Sequence, residues 1–426
     1  MIFFYKVITT CLYPILVIFI YFRKFKNKEH GERYKEKIFS SNFNVRREKN
    51  YKLIWFHAAS IGELKSILPL ISELNKKGGL KFLITTVTLS SANLAEKELA
   101  KIGNSKHRFL PVDVEFIVKR FLSQWKPDAI FFVDSEIWPN IILNAKENKI
   151  PLALINARLT KKSFNRWMLF PRVAKKIFQS FNLFLTSNIE TKDYLNKLNI
   201  RNVHYKGNLK LINNEFSRKF HSPNDEFLKK EKFWFAASTH DGEDEMCIQT
   251  HLNLKKKLKG IKTIIAPRHI NRSYLIKQKC DKYSLNCQII NENDIINEDK
   301  EFIIINSFGN LHHYYKFGES VFIGKSILQS LEKVGGQNPL EAAHQGCKIY
   351  HGPFVSNFKE IYELLEKKGI SKKINNSEEL ANCLLKDFNN PNKFNNNFNL
   401  VMNDLSKKTL SETLLLIENF LLNENK

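Results

Sequence analysis

The sequence has few of the residues that build disulfide frameworks or structural zinc sites. Its 426 residues include six cysteines, and no two of them form a Cys-x-x-Cys pair. Cys11 lies in an apolar N-terminal run, and ordinary helix or strand patterns hold the others: Cys247, Cys280, Cys287, Cys347 and Cys383. The pattern excludes a disulfide scaffold and is typical of reduced, buried thiols in a cytosolic compartment.

Signature motifs of several common enzyme classes are also missing. The chain has no P-loop, no Gly-x-Gly-x-x-Gly, no His-Glu-x-x-His and no Gly-x-Ser-x-Gly. Their absence argues against the most common ATPase, dehydrogenase, zinc protease and lipase interpretations. No Asp-x-Asp follows a predicted strand. We therefore expect the chemistry to use no metal ion and no other cofactor.

Acidic residues are scarce relative to basic ones. The chain has 67 Lys and Arg against 43 Asp and Glu, which gives a formal net charge of +24 at pH 7. This charge predicts an anionic partner, which can be a membrane surface, a nucleic acid or a phosphorylated substrate. Hydrophobic residues make up 43% of the chain, enough to build cores, and the length predicts two domains.

An apolar run from Ile2 to Phe22 opens the chain, with only four interruptions: Lys6, Thr9, Thr10 and Pro14. A helix of this length would measure roughly 31 Å, about the hydrocarbon thickness of a bilayer. Four basic residues follow the run, namely Arg23, Lys24, Lys26 and Lys28. Such a cluster stays on the cytoplasmic side. We predict a single-pass membrane anchor over residues 1–28 with cytoplasmic domains, and a helix lying on the bilayer surface is the alternative.

Apolar strands alternate with amphipathic helices along the rest of the chain. Alternation of this kind predicts parallel sheets covered by helices on both faces, which is the doubly wound α/β class. The predicted domains cover 29–211 and 232–398, with a polar linker at 212–231 and a C-terminal helix at 399–426. Two such domains predict a cleft with ligands at the carboxyl ends of the strands.

Thirteen strands are predicted in these two domains. Seven belong to the first domain: Leu53–His57, Phe82–Thr88, Arg108–Val112, Ala129–Asp134, Leu152–Asn156, Leu183–Ser187 and Val203–Gly207. Six belong to the second: Phe233–Ser238, Thr263–Ala266, Cys287–Ile290, Phe302–Asn306, Val321–Gly324 and Lys348–Tyr350.

Candidate site residues follow three strand ends of the first domain. Ser60 and Glu63 fit a Ser-x-x-Glu capping box, but a carboxylate at this strand end can also take the proton of an attacking hydroxyl. Asp134 and Glu136 precede a helix whose dipole suits acidic residues. The basic residues of the next turn, including Arg158 and Lys161, either grip phosphates or form a solvated surface.

Two segments of the second domain suit an anion. The sequence APRH at 266–269 closes a strand and opens a helix, and a helix N-terminus attracts negative charge. Gly335 and Gly336 precede another predicted helix, where backbone amides can cradle a phosphate and Glu341 can hold ribose hydroxyls. The structural alternative is that Asn338 and Glu341 simply cap that helix.

Taken together, these segments resemble the 3-deoxy-D-manno-octulosonic acid (Kdo) transferases of lipopolysaccharide synthesis. The matching stretches stand in the family's order: HAASIGE at 57–63, VDSEIWPN at 133–140, LINARLTKKS at 154–163, GNLK at 207–210, AASTHDGEDE at 236–245, APRH at 266–269, GGQNPLEAAHQG at 335–346 and GPFVSNFKE at 352–360. The resemblance implies two Rossmann-like domains in the glycosyltransferase B architecture. It also implies a CMP-Kdo donor, a phosphorylated lipid A precursor as acceptor, and a place in the inner membrane.

The resemblance also assigns roles to single residues. It carries the family's proton acceptor onto Glu63. It places the CMP contacts on Pro267, Arg268, His269, Gly309, Asn310, Leu311, Asn338, Pro339, Leu340 and Glu341. Two positions depart from the family, which usually has Glu where Asn310 and Asp134 stand. A side-chain role at position 310 is thereby weakened, and the carboxylate at position 134 reaches less far.

Two rival functions remain to be weighed. One is a transferase or epimerase of the same architecture that uses a different nucleotide sugar, against which the HAASIGE and SEIWPN segments argue. The other is a basic protein that binds a membrane surface or a nucleic acid without catalysis. Nucleic-acid binding predicts aromatic and basic clusters on an open sheet, and none is evident, so we expect no nucleic-acid partner.

Overall fold

The computed structural model describes residues 1–39, 50–212, 222–307, 309, 311–390 and 395–423. The chain divides into two compact units. The first comprises Met1–Asn214 together with Ser406–Lys426, and the second comprises Glu215–Leu405. Each unit contains one seven-stranded sheet, and every strand pairing in the described residues is parallel.

The first sheet has the order β3-β2-β1-β4-β5-β6-β7. Its strands are β1 (Lys52–His57), β2 (Leu80–Thr86), β3 (Ser105–Phe109), β4 (Ala129–Val133), β5 (Leu152–Ala157), β6 (Leu183–Thr186) and β7 (Val203–Tyr205). The helices of this part are α1 (Ile2–Cys11), α2 (Tyr13–Phe25), α3 (Lys35–Ile38), α4 (Ile61–Lys76), α5 (Leu89–Ile102), α6 (Glu115–Trp125), α7 (Pro139–Glu147), α8 (Lys161–Met168), α9 (Pro171–Phe178) and α10 (Ile189–Lys197). Every residue of β4 and β5 is buried, which explains why β4 is a continuous apolar run and why β5 is apolar except for Asn156.

The second sheet has the order β10-β11-β9-β8-β12-β13-β14. Its strands are β8 (Phe233–Thr239), β9 (Lys262–Pro267), β10 (Cys287–Ile290), β11 (Phe302–Ile305), β12 (Ser320–Ile323), β13 (Lys348–His351) and β14 (Ser371–Lys373). The accompanying helices are α11 (Asp225–Lys230), α12 (Glu243–Lys255), α13 (Ser273–Lys282), α14 (Leu311–Phe317), α15 (Leu340–His344), α16 (Lys359–Lys367), α17 (Ser377–Asn389) and α18 (Asn395–Asn423).

The predicted class of two parallel-sheet α/β domains is confirmed. All thirteen predicted strands occur, although β3 begins three residues before its predicted start, and β14 was not predicted. Residues 213–221 of the predicted linker lie outside the described residues, and the rest of it contains α11. Four of the six cysteines are buried as expected, whereas Cys287 is partly exposed and Cys11 is exposed.

The apolar N-terminal run forms two helices rather than one. Helices α1 and α2 meet at Leu12 with a bend of 52°, and Pro14 lies in the first turn of α2, where its missing amide hydrogen is tolerated. No single helix in the described part of the chain is both long and apolar enough to cross a bilayer; only the bent pair passes together, by length and composition alone. The run therefore does not form the single straight helix that its length suggested, and the membrane anchor stays a prediction.

One side of this helix pair is exposed and apolar. We call it the outer face; its large side chains are between 41% and 81% exposed, and they are Phe3, Phe4, Val7, Ile8, Leu12, Ile15, Ile18, Phe19, Phe22 and Phe25. The opposite side packs on the first unit. There Ile20 is buried with Tyr34 and Ile38 in a small apolar cluster.

Candidate active site

The strand order brings the candidate residues of the first unit to one edge of its sheet. Strands β1, β4 and β5 are neighbours in register, with His57 opposite Phe132 and Val133 opposite Ile155. Because parallel strands end at the same edge, the turns after β1, β4 and β5 lie side by side. This edge carries every first-domain residue that the sequence singled out.

Glu63 lies in the first turn of α4, directly after β1, and has the predicted capping-box geometry. Ser60 is the N-cap, and its Oγ accepts a hydrogen bond from the Glu63 N–H at 3.3 Å. The Glu63 carboxylate in turn accepts from the Ser60 hydroxyl and from the Ala59 N–H, both at 2.8 Å. The carboxylate is thus a cap that is held in one orientation and remains partly exposed at the sheet edge.

The surroundings of Glu63 favour its protonated form more than water does. Burial raises the pKa of its carboxyl above the ordinary value, and the Ser60 hydrogen bond opposes this increase. The negative charge of Glu136, and to a smaller extent that of Asp134, raises the pKa further. A raised pKa makes a carboxylate a stronger base, which suits proton abstraction from a hydroxyl.

A row of hydrogen bonds fixes Glu136 at this edge. Its Oε2 accepts from the Trp138 Nε1–H at 2.9 Å and lies 3.3 Å from His57 Nε2. The buried His57 ring is held by Thr85, whose Oγ1 lies 2.9 Å from Nδ1 and accepts from Trp55 Nε1–H at 2.8 Å. With the His57 proton on Nε2, each donor in this row has an acceptor.

Asp134 makes a contact that the sequence did not predict. It leaves β4 in the left-handed region with φ of 63°, and its Oδ2 lies 3.2 Å from Lys210 Nζ. Asn156 places Lys210, because its Oδ1 accepts from the Leu209 N–H at 2.9 Å. The first residue of α7 is Pro139 and its N-cap is Trp138, so Asp134 and Glu136 lie in the turn that leads into this helix.

The basic candidates stand apart from this acidic group. Arg158 donates its backbone N–H to the Asp134 carbonyl at 3.1 Å, but within the described ranges its side chain forms no ion pair with Asp134 or Glu136. Lys161 begins α8 and is exposed. It lines an open cavity of about 570 Å³ whose other lining residues are Lys162, Asn165, Arg166 and Leu169.

In the second unit, the APRH segment ends β9 as predicted. Pro267 is its last residue, and the Arg268 N–H donates to the Thr239 carbonyl at 2.9 Å, which ties this turn to the end of β8. The side chains of Arg268 and His269 are both exposed. The His269 ring lies 5.9 Å, centroid to centroid, from that of His240.

The glycine pair at 335 and 336 has a structural role that the sequence did not reveal. The Gly336 N–H already donates to the Lys325 carbonyl at 2.6 Å, so it cannot cradle a phosphate as predicted. A Cβ at Gly335 would stand 2.1 Å from the Phe354 carbonyl oxygen. These residues are glycines because backbone packs against backbone, and helix α15 begins only at Leu340.

The remaining donor-side candidates are placed as follows. The N-cap of α15 is Pro339 rather than Asn338, whose Oδ1 instead accepts from the Leu340 N–H at 3.1 Å. Glu341 is exposed in the first turn. Gly309 has φ of 91°, Leu311 begins α14, and Asn310 lies outside the described residues.

Sequence reasoning missed Glu243, which holds two strand ends of the second unit together. This carboxylate is fully buried and accepts four backbone N–H groups, from His240, Lys325, Ser326 and Ile327 at 2.6–3.2 Å. Burial raises its pKa, and the four hydrogen bonds oppose that shift. Across the described ranges, no three His, Cys, Asp or Glu side chains cluster as metal ligands.

Comparison with known proteins gives similarity to one family over nearly the whole chain. Residues 31–213 match the family model described as 3-deoxy-D-manno-octulosonic-acid transferase. A transferase of that name from Rickettsia bellii is 31% identical over 423 residues, covering 98% of this chain and 99% of the relative. Another from Haemophilus influenzae is 29% identical and covers 86% of each chain.

Solved structures show a similar fold at much lower identity. A UDP-GlcNAc 2-epimerase from Neisseria meningitidis superposes with a TM-score of 0.57 at 14% identity, covering 87% of this chain and 100% of the epimerase. A glycosyltransferase from Rickettsia africae gives 0.52 at 11% identity, with coverages of 88% and 97%. The fold alone is shared with both, whereas the full-length relatives show that this chain belongs to the Kdo transferase family and is a glycosyltransferase.

Proposed function

We propose that this enzyme transfers Kdo from CMP-Kdo onto a phosphorylated lipid A precursor in lipopolysaccharide synthesis, with inversion at the anomeric carbon. The observation that carries the proposal is the Glu63 carboxylate at the edge of the first sheet. The Ala59 N–H and the Ser60 hydroxyl orient it, and burial raises its pKa. Glu63 takes the proton from a primary hydroxyl of the acceptor. The hydroxyl oxygen bonds to the anomeric carbon as the bond to the CMP oxygen breaks, through an oxocarbenium-like transition state.

The departing CMP carries the negative charge that develops on its phosphate. Arg268 and His269 are exposed beside the end of β8 and can donate hydrogen bonds to that phosphate. Because the Gly336 amide is engaged by Lys325, the proposal assigns the leaving group to these two side chains rather than to the glycine turn. Exposed Glu341 remains a candidate for the ribose hydroxyls.

The acceptor side supports a phosphorylated lipid. Basic residues Lys161, Lys162 and Arg166 of α8 share one surface with Leu169, and Leu169 and Phe170 are 72% and 52% exposed. Cations beside exposed apolar side chains suit a molecule that carries both phosphates and acyl chains. This surface follows β5, whose carboxyl end lies at the same sheet edge as Glu63.

We further propose that the enzyme works at the cytoplasmic face of the inner membrane. The outer face of the N-terminal helix pair supports this, because it exposes large apolar side chains that soluble surfaces rarely group together. The basic residues from Arg23 to Lys28 directly follow this face and suit anionic lipid headgroups. Protease added to intact spheroplasts should leave the two units uncut, and cleavage from outside would contradict this topology.

Glu63→Gln tests the catalytic proposal against capping alone. Gln keeps the side-chain acceptor of the box, so the variant should fold with little loss of stability. An amide cannot take a proton, so turnover should fall on the order of 10²-fold or more, with donor and acceptor affinities nearly unchanged. The measurements are initial rates of Kdo transfer at saturating substrates, with melting temperatures in parallel.

Ser60→Ala is the matched control for this experiment. It removes the N-cap oxygen at a cost of about 1 kcal/mol in stability and also removes one of the two donors to the Glu63 carboxylate, but it keeps the carboxylate itself and the Ala59 N–H that donates to it. If Glu63 is the base, Ser60→Ala retains far more activity than Glu63→Gln. Near-normal turnover in Glu63→Gln would show that the residue is only a cap.

A further inference from the structure

The N-terminal helix pair exposes large apolar side chains on its outer face while its other side packs on the first unit. The side turned toward the first unit is apolar in α2, where Leu16 and Ile20 pack on apolar clusters, whereas α1 turns polar side chains such as Tyr5 and Lys6 toward that unit. Helices of soluble domains turn their apolar stripe toward the core. This pair has an apolar outer face in addition to its packed side, and an exposed apolar surface of this size is typical of a contact with a membrane or with another protein.

Polar contacts hold α1 lengthwise against α7 and the turn before α6. The Tyr5 hydroxyl donates to Asp113 at 2.8 Å, and Lys6 Nζ lies 3.1 Å from a Glu115 carboxylate oxygen. Near the start of α7, Asn140 donates to the Thr9 hydroxyl at 3.2 Å. A helix fastened along its length to a folded domain lies beside that domain, so α1 presents its outer face sideways, which is the geometry of a helix that lies on a bilayer surface.

A groove lies between α1, α7 and α9, and we call it the headgroup groove. Its cavity volume is about 810 Å³. Apolar Ile2 and Phe3 of α1 line one side, and the opposite side carries the cations Lys146, Arg172, Lys175 and Lys176. The groove therefore combines an apolar wall that continues the outer face with a strongly basic wall.

These four cations are not neutralised by the protein. Within the described part of the chain, none of the four forms an ion pair, and Arg172, Lys175 and Lys176 are exposed. The groove's one acidic residue is Glu147, which lies 3.7 Å from Lys6 Nζ. Such an excess of positive charge calls for an anion with more than one acceptor oxygen.

We propose that the headgroup groove binds the phosphate headgroup of an anionic phospholipid, while the acyl chains follow the outer face of α1 into the bilayer. This inference rests on the membrane association in the proposed function and adds a lipid site to it. A lipid is favoured over a nucleic acid because the basic wall of the groove stands opposite Ile2 and Phe3. The neighbouring residue of α1, Phe4, is exposed on the outer face.

The headgroup groove is separate from the reaction centre. Lys146 lies in the last turn of α7, whereas the carboxyl end of β4, beside Glu63, leads into the first turn of that helix. Nine helical residues separate the two ends by roughly 14 Å. A bound phospholipid therefore leaves the catalytic edge open, and it sets the orientation in which that edge faces the membrane.

Vesicle flotation of the full-length protein tests this site. The probes are phosphatidylcholine vesicles and vesicles of phosphatidylcholine and phosphatidylglycerol in equal parts. The triple variant Arg172→Gln, Lys175→Gln, Lys176→Gln should partition onto the anionic vesicles on the order of 10²-fold more weakly than wild type, about fivefold for each charge. On phosphatidylcholine alone, the two proteins should differ by no more than a few-fold.

A second triple variant controls for net charge. Lys256→Gln, Lys257→Gln, Lys259→Gln removes three exposed lysines from the second unit and should bind anionic vesicles like wild type. An equal loss in both triple variants, wild-type binding by the groove variant, or displacement of vesicles by duplex DNA would overturn the lipid site.

Kdo transfer to a detergent-dispersed acceptor should be unchanged in the groove variant. If the wild-type protein transfers no Kdo, the proposed function fails. The comparison of vesicle binding still shows whether the headgroup groove binds anionic lipid.

Discussion

The charge of Glu136 raises the pKa of Glu63, and this coupling is testable. A base acts only when deprotonated, so turnover falls as the pH drops below the pKa of Glu63. Glu136→Gln removes the nearby negative charge and should lower that pKa. The acid limb of the turnover profile should therefore move to lower pH, measured as initial rates at saturating substrates across a pH series.

Glu73→Gln is the matched control for this shift. Glu73 lies further along α4, the helix that carries Glu63, and pairs with Lys76 at 2.6 Å. Its removal should leave the acid limb unmoved. An acid limb that stays in place or rises in Glu136→Gln would exclude electrostatic coupling between Glu136 and the base.

Arg268 is the donor-side residue whose role is most easily isolated. Its side chain is exposed and forms no ion pair within the described ranges, so Arg268→Ala should leave the fold intact. Loss of a charge-assisted hydrogen bond to the CMP phosphate should weaken CMP binding by roughly 1.5–3 kcal/mol. Calorimetric titration with CMP measures the change, and unaltered affinity would remove Arg268 from the site.

At the residue scale, the sequence predicted local geometry better than long-range contacts. The capping box joins Ser60 and Glu63, which are only three positions apart, so it can be recognised from the sequence. The Lys210 contact with Asp134 joins residues 76 positions apart. No local pattern encodes such a pair, because it depends on strand order and on the Asn156 side chain that holds the segment.

At the scale of elements, backbone packing around Gly335 gives a stability prediction. A Cβ there would meet the Phe354 carbonyl at 2.1 Å and the Leu331 carbonyl at 2.7 Å, and neither is the end of a flexible side chain. Gly335→Ala should therefore lower the free energy of unfolding by about 1–3 kcal/mol, seen as a lower melting temperature. Gly31→Ala, where a Cβ meets nothing within 4 Å, should change it by less than about 0.5 kcal/mol.

The elements that the sequence missed carry weak signals for physical reasons. Strand β14 has three residues, Ser-Lys-Lys, at the edge of its sheet, so it lacks the apolar run that marked the buried strands. The bend at Leu12 lies inside an apolar stretch whose composition alone suits a straight helix. Its position depends on Pro14 and on contacts such as the Tyr13 hydroxyl with the Ile38 carbonyl at 2.6 Å.

For the whole molecule, we predict transfer without a divalent metal. The proposed site stabilises the leaving phosphate with the positive charge of Arg268 and with hydrogen bonds from Arg268 and His269, which can replace a metal ion. Initial rates measured with pre-made CMP-Kdo should therefore be the same with and without EDTA. Activity lost in EDTA and restored by magnesium would contradict this assignment.

The division of the chain also has a consequence for its synthesis. Helix α18 begins in the second unit, and from Ser406 onward the chain belongs to the first, where the Phe420 ring meets Phe131 at 5.5 Å and Glu418 pairs with Lys77. A ribosome completes the whole second unit before it makes this segment. The unit that is translated first is therefore the last to be completed. Until the C-terminal segment is made, Phe131 lacks its contact with Phe420.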